Sequence, residues 1–290
     1  MKVLVTGANG QLGRELQAII PDDIDARYYD VSDLDITRQD LVIENINQIK
    51  PDLVINAAAY TAVDKAESDI DSAYKVNRDG AVNLAKAVER IRARYVYVST
   101  DFVFDGAKSS PYATDDVAKP LNVYGKSKFE GEQGVTCVLG DKSTILRTSW
   151  VYSSFGNNFV KTVLNLLTER DELSIVADQI GSPTWAAGLA NAVWRLALLN
   201  NVCGIFHWTD SGVASWYDFA VAIQEEGIEA GILDKKIKIK PIRTSDYPTP
   251  ARRPSYSVLD KTELSSMLGY VPDHWRVSLR QMIKEYSENK

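Results

Sequence analysis

The sequence has 290 residues, of which 45% are hydrophobic and 25% are charged. This balance is typical of a globular protein with one large core or two closely joined domains, and it excludes the disordered and fibrous classes. The 33 basic and 39 acidic side chains give a net charge of −6, which provides no electrostatic support for binding nucleic acid or an anionic membrane. Small molecules are therefore the expected partners.

We expect neither a secretion signal nor a membrane-spanning segment in this sequence. Its first apolar run, residues 2–5, is too short for a secretion signal, and no apolar run reaches membrane-spanning length. Cys137 and Cys203 show no disulfide or metal-binding spacing, which is typical of a reducing compartment. We expect a cytoplasmic protein.

A glycine-rich turn follows the first predicted strand. Residues 2–5 form a β-rich run, Gly7, Gly10 and Gly13 follow, and apolar residues at helical spacing come next. In this order the backbone can approach a pyrophosphate closely, and the free N–H groups of the helix N-terminus can bind it. The spacing differs from the G-x-G-x-x-G of many dehydrogenases, and a purely structural turn is the alternative.

The second predicted strand, residues 25–29, ends in Asp30. An acidic residue at this place can bind the hydroxyls of an adenosine ribose, and it repels a 2′-phosphate, which favours NADH over NADPH. Arg27 is close enough in sequence to soften that preference, and a solvated loop aspartate is the alternative. Thr37 is predicted to cap the next helix, which runs to residue 49.

Strands and helices continue to alternate up to residue 150. Residues 51–56 predict a third buried strand, residues 69–92 a long helix, residues 95–98 a fourth strand and residues 143–147 a fifth. This order predicts an α/β fold with a Rossmann-like, doubly wound parallel sheet. Ligands of such folds bind at the carboxyl ends of the strands. Small residues follow the third strand (Ala57, Ala58 and Ala59), and polar residues follow the fourth (Ser99, Thr100 and Asp101). An aromatic residue, Trp150, follows the fifth.

Tyr124 and Lys128 are the central candidates for chemistry. They are four residues apart on a predicted helix, so both side chains lie on one face and can reach one bound molecule. At about 5 Å the lysine charge is expected to lower the tyrosine pKa by about two units, which would prepare Tyr124 for proton transfer. Thr100 supplies a hydroxyl that could hold a substrate oxygen. The pair alone is a weak signal, since both residues are common on half-exposed helices.

The pattern changes after Trp150, where the predicted elements become shorter and less regular. We predict a dinucleotide-binding domain over residues 1–150 and a smaller, mainly substrate-binding α+β domain over residues 151–290, interleaved with the first. Predicted elements of the second part are helices over 157–167, 186–199, 215–226 and 275–286 and an edge strand over 235–240.

Arg252 and Arg253 stand together on a proline-bounded loop. Two guanidinium groups on a rigid loop could bind a diphosphate, because each can make bidentate contacts, whereas a solvated basic turn is the alternative. His207 and His274 are isolated in sequence, so no histidine-based metal site is predicted. No nucleophile elbow or Walker loop occurs.

Seven motifs together carry a family resemblance. They are V-T-G-A-N-G-Q-L-G, N-A-A-A-Y-T-A-V-D-K-A-E, S-T-D-F-V-F-D-G, Y-G-K-S-K, L-R-T-S-W-V-Y, D-Q-I-G-S-P-T and A-R-R-P. Over nearly its whole length the sequence resembles the extended short-chain dehydrogenase/reductases, and within them the dTDP-4-dehydrorhamnose reductases. The resemblance implies reduction of the C4 ketone of dTDP-4-dehydro-L-rhamnose by NADH or NADPH, giving dTDP-L-rhamnose for cell-surface polysaccharide.

The resemblance also implies roles for individual residues. Tyr124 would donate a proton to the carbonyl oxygen, Lys128 would bind the nicotinamide ribose, and Thr100 would orient the ketone. Asp101, Trp150 and Arg253 would contact the nucleotide sugar. The implied cofactor-binding residues, which also include Tyr124 and Lys128, are Gly7, Gly10, Gln11 and Leu12 at the diphosphate, Asp30 at the ribose, Asp35 and Ile36 at the adenine, and Ala57, Ala58, Ala59, Tyr60 and Thr61 toward the nicotinamide.

Two positions depart from the family pattern. Tyr256 stands where family members commonly have Asn. Some relatives dimerise around Mg²⁺ held by glutamates, and Glu15 lies where one of these glutamates does, but no acidic partner follows Ser182-Pro183-Thr184. Monomer and homodimer, with or without Mg²⁺, therefore stay open.

Two other functions fit the same pattern. One is a non-catalytic regulatory subunit that resembles that of methionine adenosyltransferase and binds the dinucleotide without using it. The other is a nucleotide-sugar epimerase or dehydratase, which would keep NAD tightly bound. The joint presence of Tyr124, Lys128 and Thr100 argues against the first.

Overall fold

The computed structural model describes residues 1–199 and 202–288. Residues 200–201 and 289–290 of the predicted second domain lie outside the described residues. The strands are β1 (Lys2–Thr6), β2 (Asp25–Tyr29), β3 (Leu53–Asn56), β4 (Arg94–Thr100), β5 (Ser143–Thr148), β6 (Val151–Tyr152), β7 (Glu172–Val176), β8 (Ile180–Gly181), β9 (Thr184–Trp185), β10 (Gly204–His207), β11 (Ala214–Ser215) and β12 (Lys238–Ile242). The α-helices are α1 (Gln11–Ala18), α2 (Gln39–Ile49), α3 (Val63–Ala66), α4 (Ile70–Tyr74), α5 (Ala81–Ile91), α6 (Val123–Leu139), α7 (Phe159–Glu169), α8 (Ala186–Leu198), α9 (Trp216–Glu229), α10 (Thr262–Leu268) and α11 (Trp275–Glu288).

A six-stranded sheet in the order β10-β5-β4-β3-β1-β2 forms the centre of the molecule. All of its strand pairs are parallel. The strand order reverses between β1 and β3, and the crevice at such a reversal is where open α/β sheets bind their ligands. The predicted doubly wound parallel sheet is confirmed.

Helices cover both faces of this sheet. The side chains of α2, α5 and α6 pack on one face, where Val42, Leu84 and Val135 are fully buried. Helices α1 and α8 cover the other face through residues such as Leu16 and Val193. Because the middle strands are buried on both faces, they read as continuous apolar runs, which explains why the sequence revealed them.

The second half of the chain contributes to the main sheet and also builds a separate core. Strand β10 pairs with β5 at the sheet edge. A second core gathers α7, α9 and α11 around residues such as Leu164, Phe219 and Leu279. The division into domains at residue 150 stays a prediction. Among the described residues, no helix is both long and apolar enough to cross a membrane.

The predicted long helix over 69–92 contains a π-helical segment, Lys75–Gly80, between α4 and α5. The side chain of Asn77 in this segment makes three hydrogen bonds. It accepts from the Tyr60 backbone N–H, and it donates to the Tyr60 carbonyl oxygen and to Ser127 Oγ. The π-helical segment therefore ties the loop after β3 to α6, the helix that carries Tyr124 and Lys128.

Two local predictions were wrong in detail. Thr37 does not cap α2, because its hydroxyl donates to Asp35 and the N-cap position is Arg38, which makes no side-chain capping bond. The edge strand predicted over 235–240 begins later, as β12, and pairs in parallel with β7. The predicted capping box at Ser215 is present, with Asp218 as its second member.

Gly131 of α6 tests how closely this helix must approach the π-helical segment. A Cβ at Gly131 would lie 2.3 Å from the Asn77 carbonyl oxygen, which cannot move without the backbone. We expect Gly131→Ala to lower the free energy of unfolding by about 2 kcal/mol, as measured by urea denaturation.

Gly134→Ala, on the same helix, is the matched control. Its Cβ would meet only the Val82 side chain, and the gain in helix propensity of about 1 kcal/mol offsets that crowding. Equal stability of the two variants would contradict the close approach.

Candidate active site

A cavity of about 610 Å³ lies at the carboxyl ends of β1, β3, β4 and β5. Polar, small and aromatic side chains from both halves of the chain surround it. Those lining it include Gly10, Gln11, Leu12, Ala57, Ala59, Thr61, Thr100, Asp101, Phe102, Tyr124, Lys128, Trp150, Asn158, Phe159, Trp216 and Arg253. The sequence-predicted catalytic residues and most of the predicted binding residues are therefore together in one place.

Helix α6 brings Tyr124 and Lys128 into this cavity from its first two turns. Asn122 caps the helix by accepting a hydrogen bond from the backbone N–H of Gly125. Glu67 accepts another from the N–H of Val123. These two bonds satisfy orphan donors at the helix start, and they fix where the first turn lies.

Lys128 is almost completely buried, with 1% of its surface exposed. Its ammonium donates to the carbonyl oxygen of Val98 at 2.7 Å and lies 4.1 Å from the centre of the Tyr97 ring. Burial lowers the pKa of Lys128 to about 7, against an opposing effect of the Glu132 charge. The charged form of the amine is therefore much less favoured than in a solvent-exposed lysine.

The expected lowering of the Tyr124 pKa by Lys128 was wrong. Burial raises the pKa of Tyr124 to about 12; a hydrogen bond with Thr100 opposes this rise and the Asp101 charge adds to it. Desolvation of the phenolate outweighs the attraction that sequence spacing suggested. Tyr124 is consequently protonated near neutral pH and available as a proton donor.

Thr100 and Asp101 stand at the end of β4. The Thr100 hydroxyl donates to Oδ1 of Asp101 at 3.1 Å. Asp101 is 1% exposed, and burial raises its pKa to about 7. The nearby Ser257 opposes this rise, but Oδ2 makes no hydrogen bond within 3.5 Å among residues 1–199 and 202–288. A buried polar atom that lies beside a cavity and has no such bond within the described part of the chain is suited to bind a polar group of a ligand.

The glycine turn after β1 fits a dinucleotide diphosphate. Gly7 has φ +76°, and a Cβ there would lie 2.7 Å from the Ala57 carbonyl carbon, so no side chain fits. Helix α1 begins after Gly10 without any side-chain cap, which leaves its first backbone N–H groups for an anion. Asp30 lies beside this turn and accepts from the Asn9 backbone N–H at 3.0 Å.

Two tryptophans form another part of the cavity lining. Trp150 follows β5 with φ 47°, an uncommon backbone conformation for a bulky residue. Its ring stacks on Trp216 with 3.5 Å between centroids and 5° between planes. The Trp216 indole donates to Gln179 at 3.1 Å. Sequence reasoning missed Trp216 as a site residue, although its place directly after the Ser215 cap indicated the start of a helix.

Only one residue of the predicted arginine pair lines the cavity. Arg253 does, and its guanidinium donates to both carboxylate oxygens of Asp64, at 3.0 and 2.7 Å. Arg252 is exposed and absent from the cavity lining. The reason is geometric, because adjacent side chains on an extended loop point in different directions.

Comparison with known proteins places this chain in a family. The family model for the RmlD substrate binding domain matches residues 1–288. The chain belongs to this family. A dTDP-4-dehydrorhamnose reductase of Aggregatibacter actinomycetemcomitans is 45% identical over 296 residues, which cover 99% of each chain.

Two crystal structures share the fold closely. A dTDP-4-dehydrorhamnose reductase from Clostridium acetobutylicum ATCC 824 has a TM-score of 0.92 and 43% identity, covering 98% of this chain and 99% of that one. The enzyme from Bacillus anthracis str. Ames, in complex with NADP, has a TM-score of 0.91 and 39% identity at the same coverage. The resemblance inferred from the motifs is confirmed.

Some of the predicted cofactor-binding residues line the cavity and others lie outside its lining. Gly10, Gln11, Leu12, Ala57, Ala59 and Thr61 line the cavity, and Gly7, Ala58 and Tyr60 lie in the same turns. Asp35 accepts from Thr37. The Ile36 side chain is 5% exposed and packs in the core. The roles of all these residues, including Asp30, Asp35 and Ile36, stay predictions.

Glu15 and Tyr256, where the sequence raised questions, both have partners within the chain. Glu15 is 3% exposed and accepts from Ser153 Oγ at 2.6 Å, while burial raises its pKa. Tyr256 packs against the small core that contains Phe104 and Leu259. Across residues 1–199 and 202–288, no group of three potential metal ligands occurs. The question of a Mg²⁺ ion between two copies, left open by the sequence, stays open.

The lowered pKa of Lys128 predicts a pH dependence of stability. An unfolded lysine has a pKa of about 10.4, so between pH 7 and that value the unfolded chain binds more protons than the folded one. This residue alone should therefore make the free energy of unfolding rise with pH by up to about 1.4 kcal/mol per unit. Lys128→Met should remove that slope.

Urea denaturation of the cofactor-free protein at several pH values between 7 and 9.5 measures the difference between wild type and variant. The free energy of unfolding of wild type minus that of Lys128→Met should become more positive as the pH rises. Lys126→Met, which changes an exposed lysine of the same helix, should leave the slope unchanged. A pH-independent difference for Lys128→Met would show that Lys128 keeps an ordinary pKa.

Proposed function

We propose that this protein reduces the C4 ketone of dTDP-4-dehydro-β-L-rhamnose to dTDP-L-rhamnose with NADH or NADPH, the last step of dTDP-rhamnose biosynthesis. The observation that carries the proposal is the convergence of Tyr124, Lys128 and Thr100 on one cavity that also contains an uncapped helix N-terminus. Two relatives that share nearly the full length are dTDP-4-dehydrorhamnose reductases. A reduced nicotinamide bound in this cavity would supply the hydride for carbon C4.

The chain itself supplies the proton and the orientation of the ketone. In the substrate complex the Thr100 hydroxyl would turn its one proton from Asp101 Oδ1 to the ketone oxygen, and the Tyr124 hydroxyl would donate to the same oxygen, which holds the carbonyl carbon in a fixed position. As negative charge develops on that oxygen, Tyr124 transfers its proton, and the product is an alcohol. Lys128, in its protonated form, stabilises the phenolate that remains until Tyr124 regains a proton from solvent.

The cofactor and the nucleotide sugar would be held by different parts of the cavity. Backbone N–H groups of Gln11 and Leu12 would bind the cofactor diphosphate. Arg253, already oriented by Asp64, would bind the diphosphate of the sugar nucleotide. Trp150 and Asp101 would contact its sugar. The proposal covers a monomer or a homodimer, which gel filtration with and without Mg²⁺ distinguishes.

Removal of the Tyr124 hydroxyl tests the proton donor. We expect Tyr124→Phe to lower kcat by about two to four orders of magnitude, the usual contribution of a general acid. Turnover is followed by loss of reduced-nicotinamide absorbance with dTDP-4-dehydrorhamnose. Cofactor affinity, measured by fluorescence titration, should stay close to that of wild type.

Tyr74→Phe is the matched control, because the Tyr74 hydroxyl bonds to Glu130 outside the cavity. It should have wild-type turnover. Full activity of Tyr124→Phe would rule out the assigned proton donor.

Asp30 tests the preference between the two cofactors. Its negative charge repels a 2′-phosphate, so Asp30→Asn should raise kcat/KM with NADPH relative to NADH by about tenfold, equivalent to about 1.4 kcal/mol. Steady-state rates with both cofactors give the ratio. Asp52→Asn, at the amino end of β3, should leave the ratio unchanged, and an unchanged ratio for Asp30→Asn would remove this residue from the ribose site.

A further inference from the structure

A buried ion pair lies behind Tyr124 and Lys128, and the mechanism above does not use it. Glu132 follows Lys128 by one turn of α6, and Arg147 is on β5; each side chain is 2% exposed. Arg147 donates from Nε to Oε1 at 3.0 Å and from Nη2 to Oε2 at 2.6 Å. The pair is therefore bidentate and shielded from water.

Glu132 also reaches the strand that carries Thr100. Its Oε1 accepts from the Ser99 hydroxyl at 2.5 Å. One turn earlier on α6, Lys128 binds the Val98 carbonyl. Two successive turns of the helix thus hold two successive residues of β4, and the next residue of that strand is Thr100. These two contacts therefore fix the position of Thr100 relative to α6.

Arg147 extends the same network to β5. In the pairing of β4 with β5, Ser99 is opposite Arg147 and Thr100 is opposite Thr148. Nearby His207 lies with Nε2 3.5 Å from Arg147 Nη1, and its pKa is lowered to about 3 by burial and by the Arg147 charge. His207 is therefore neutral, and Glu132 is the group that balances the arginine charge here.

Stability alone is a weak explanation for such a pair. The free energy needed to remove two charges from water offsets much of their mutual attraction. Apolar side chains of similar volume therefore often give the same stability. Apolar side chains cannot, however, accept a hydrogen bond from the Ser99 hydroxyl. The specific contribution of Glu132 is thus the hydrogen bond to Ser99.

We propose that Glu132 is a positioning residue for the reduction: it holds Ser99, and through it Thr100, against α6, so that the Thr100 and Tyr124 hydroxyls meet one ketone oxygen. The inference rests on the proposed function, because its effect is read in the turnover of that reaction. Misplacement of a reacting group by about 1 Å can lower turnover by about 100-fold.

Two double variants separate this role from folding. Glu132→Leu with Arg147→Met removes both charges and the acceptor for Ser99. Glu132→Gln with Arg147→Met removes the same charges but keeps an acceptor oxygen. Glu130→Gln is the control, because Glu130 is half-exposed on the same helix and pairs with Arg78. Urea denaturation identifies any loss of folding, and kcat and KM are measured with dTDP-4-dehydrorhamnose.

We expect the Leu/Met variant to stay folded and to lose at least about tenfold in kcat, with KM changed by less than about threefold. The Gln/Met variant should have most of the wild-type kcat, because it keeps an acceptor for Ser99. Glu130→Gln should have wild-type kcat. Equal kcat for the two folded double variants, or wild-type kcat for the Leu/Met variant, would overturn the positioning role while wild-type turnover upholds the function. Absence of wild-type turnover would overturn the proposed function and this inference with it.

Discussion

Burial of the Lys128 amine beneath the cavity is the constraint on which the rest of the site depends. The amine has a carbonyl oxygen and an aromatic ring as its neighbours, so its position is fixed by the contact between α6 and β4. Because burial disfavours the charged form of both groups, the pKa of Lys128 is lowered and that of Tyr124 is raised. Tyr124 thus holds its proton near neutral pH, as a proton donor must.

The sheet topology explains why so many chemical groups meet at this point. The strand order reverses between β1 and β3, which opens a crevice where the glycine turn and the small residues after β3 face each other. Strands β4 and β5 continue the same edge and deliver Thr100 and Trp150. The second half of the chain then places Trp216 and Arg253 against that edge. The groups predicted for catalysis, cofactor binding and substrate binding therefore share one cavity, although they come from distant parts of the sequence.

Much of this arrangement could be predicted from the sequence, because it depends on local patterns. Buried parallel strands are apolar runs, and the Tyr124–Lys128 spacing places both side chains on one helix face. Features that depend on tertiary packing could not be predicted. The pKa of Tyr124 follows from desolvation, the stack of Trp150 on Trp216 joins residues far apart in sequence, and the pairing of Arg253 with Asp64 depends on where a loop lies.

The most direct test of the central claim follows the hydride from donor to product. The protein is incubated with dTDP-4-dehydro-L-rhamnose and reduced nicotinamide cofactor that carries deuterium at its transferable position, and the product is analysed by NMR and mass spectrometry. The account predicts dTDP-L-rhamnose with one deuterium at C4 of the sugar for each cofactor oxidised. A nucleotide sugar without deuterium, or with deuterium at another carbon, would contradict it.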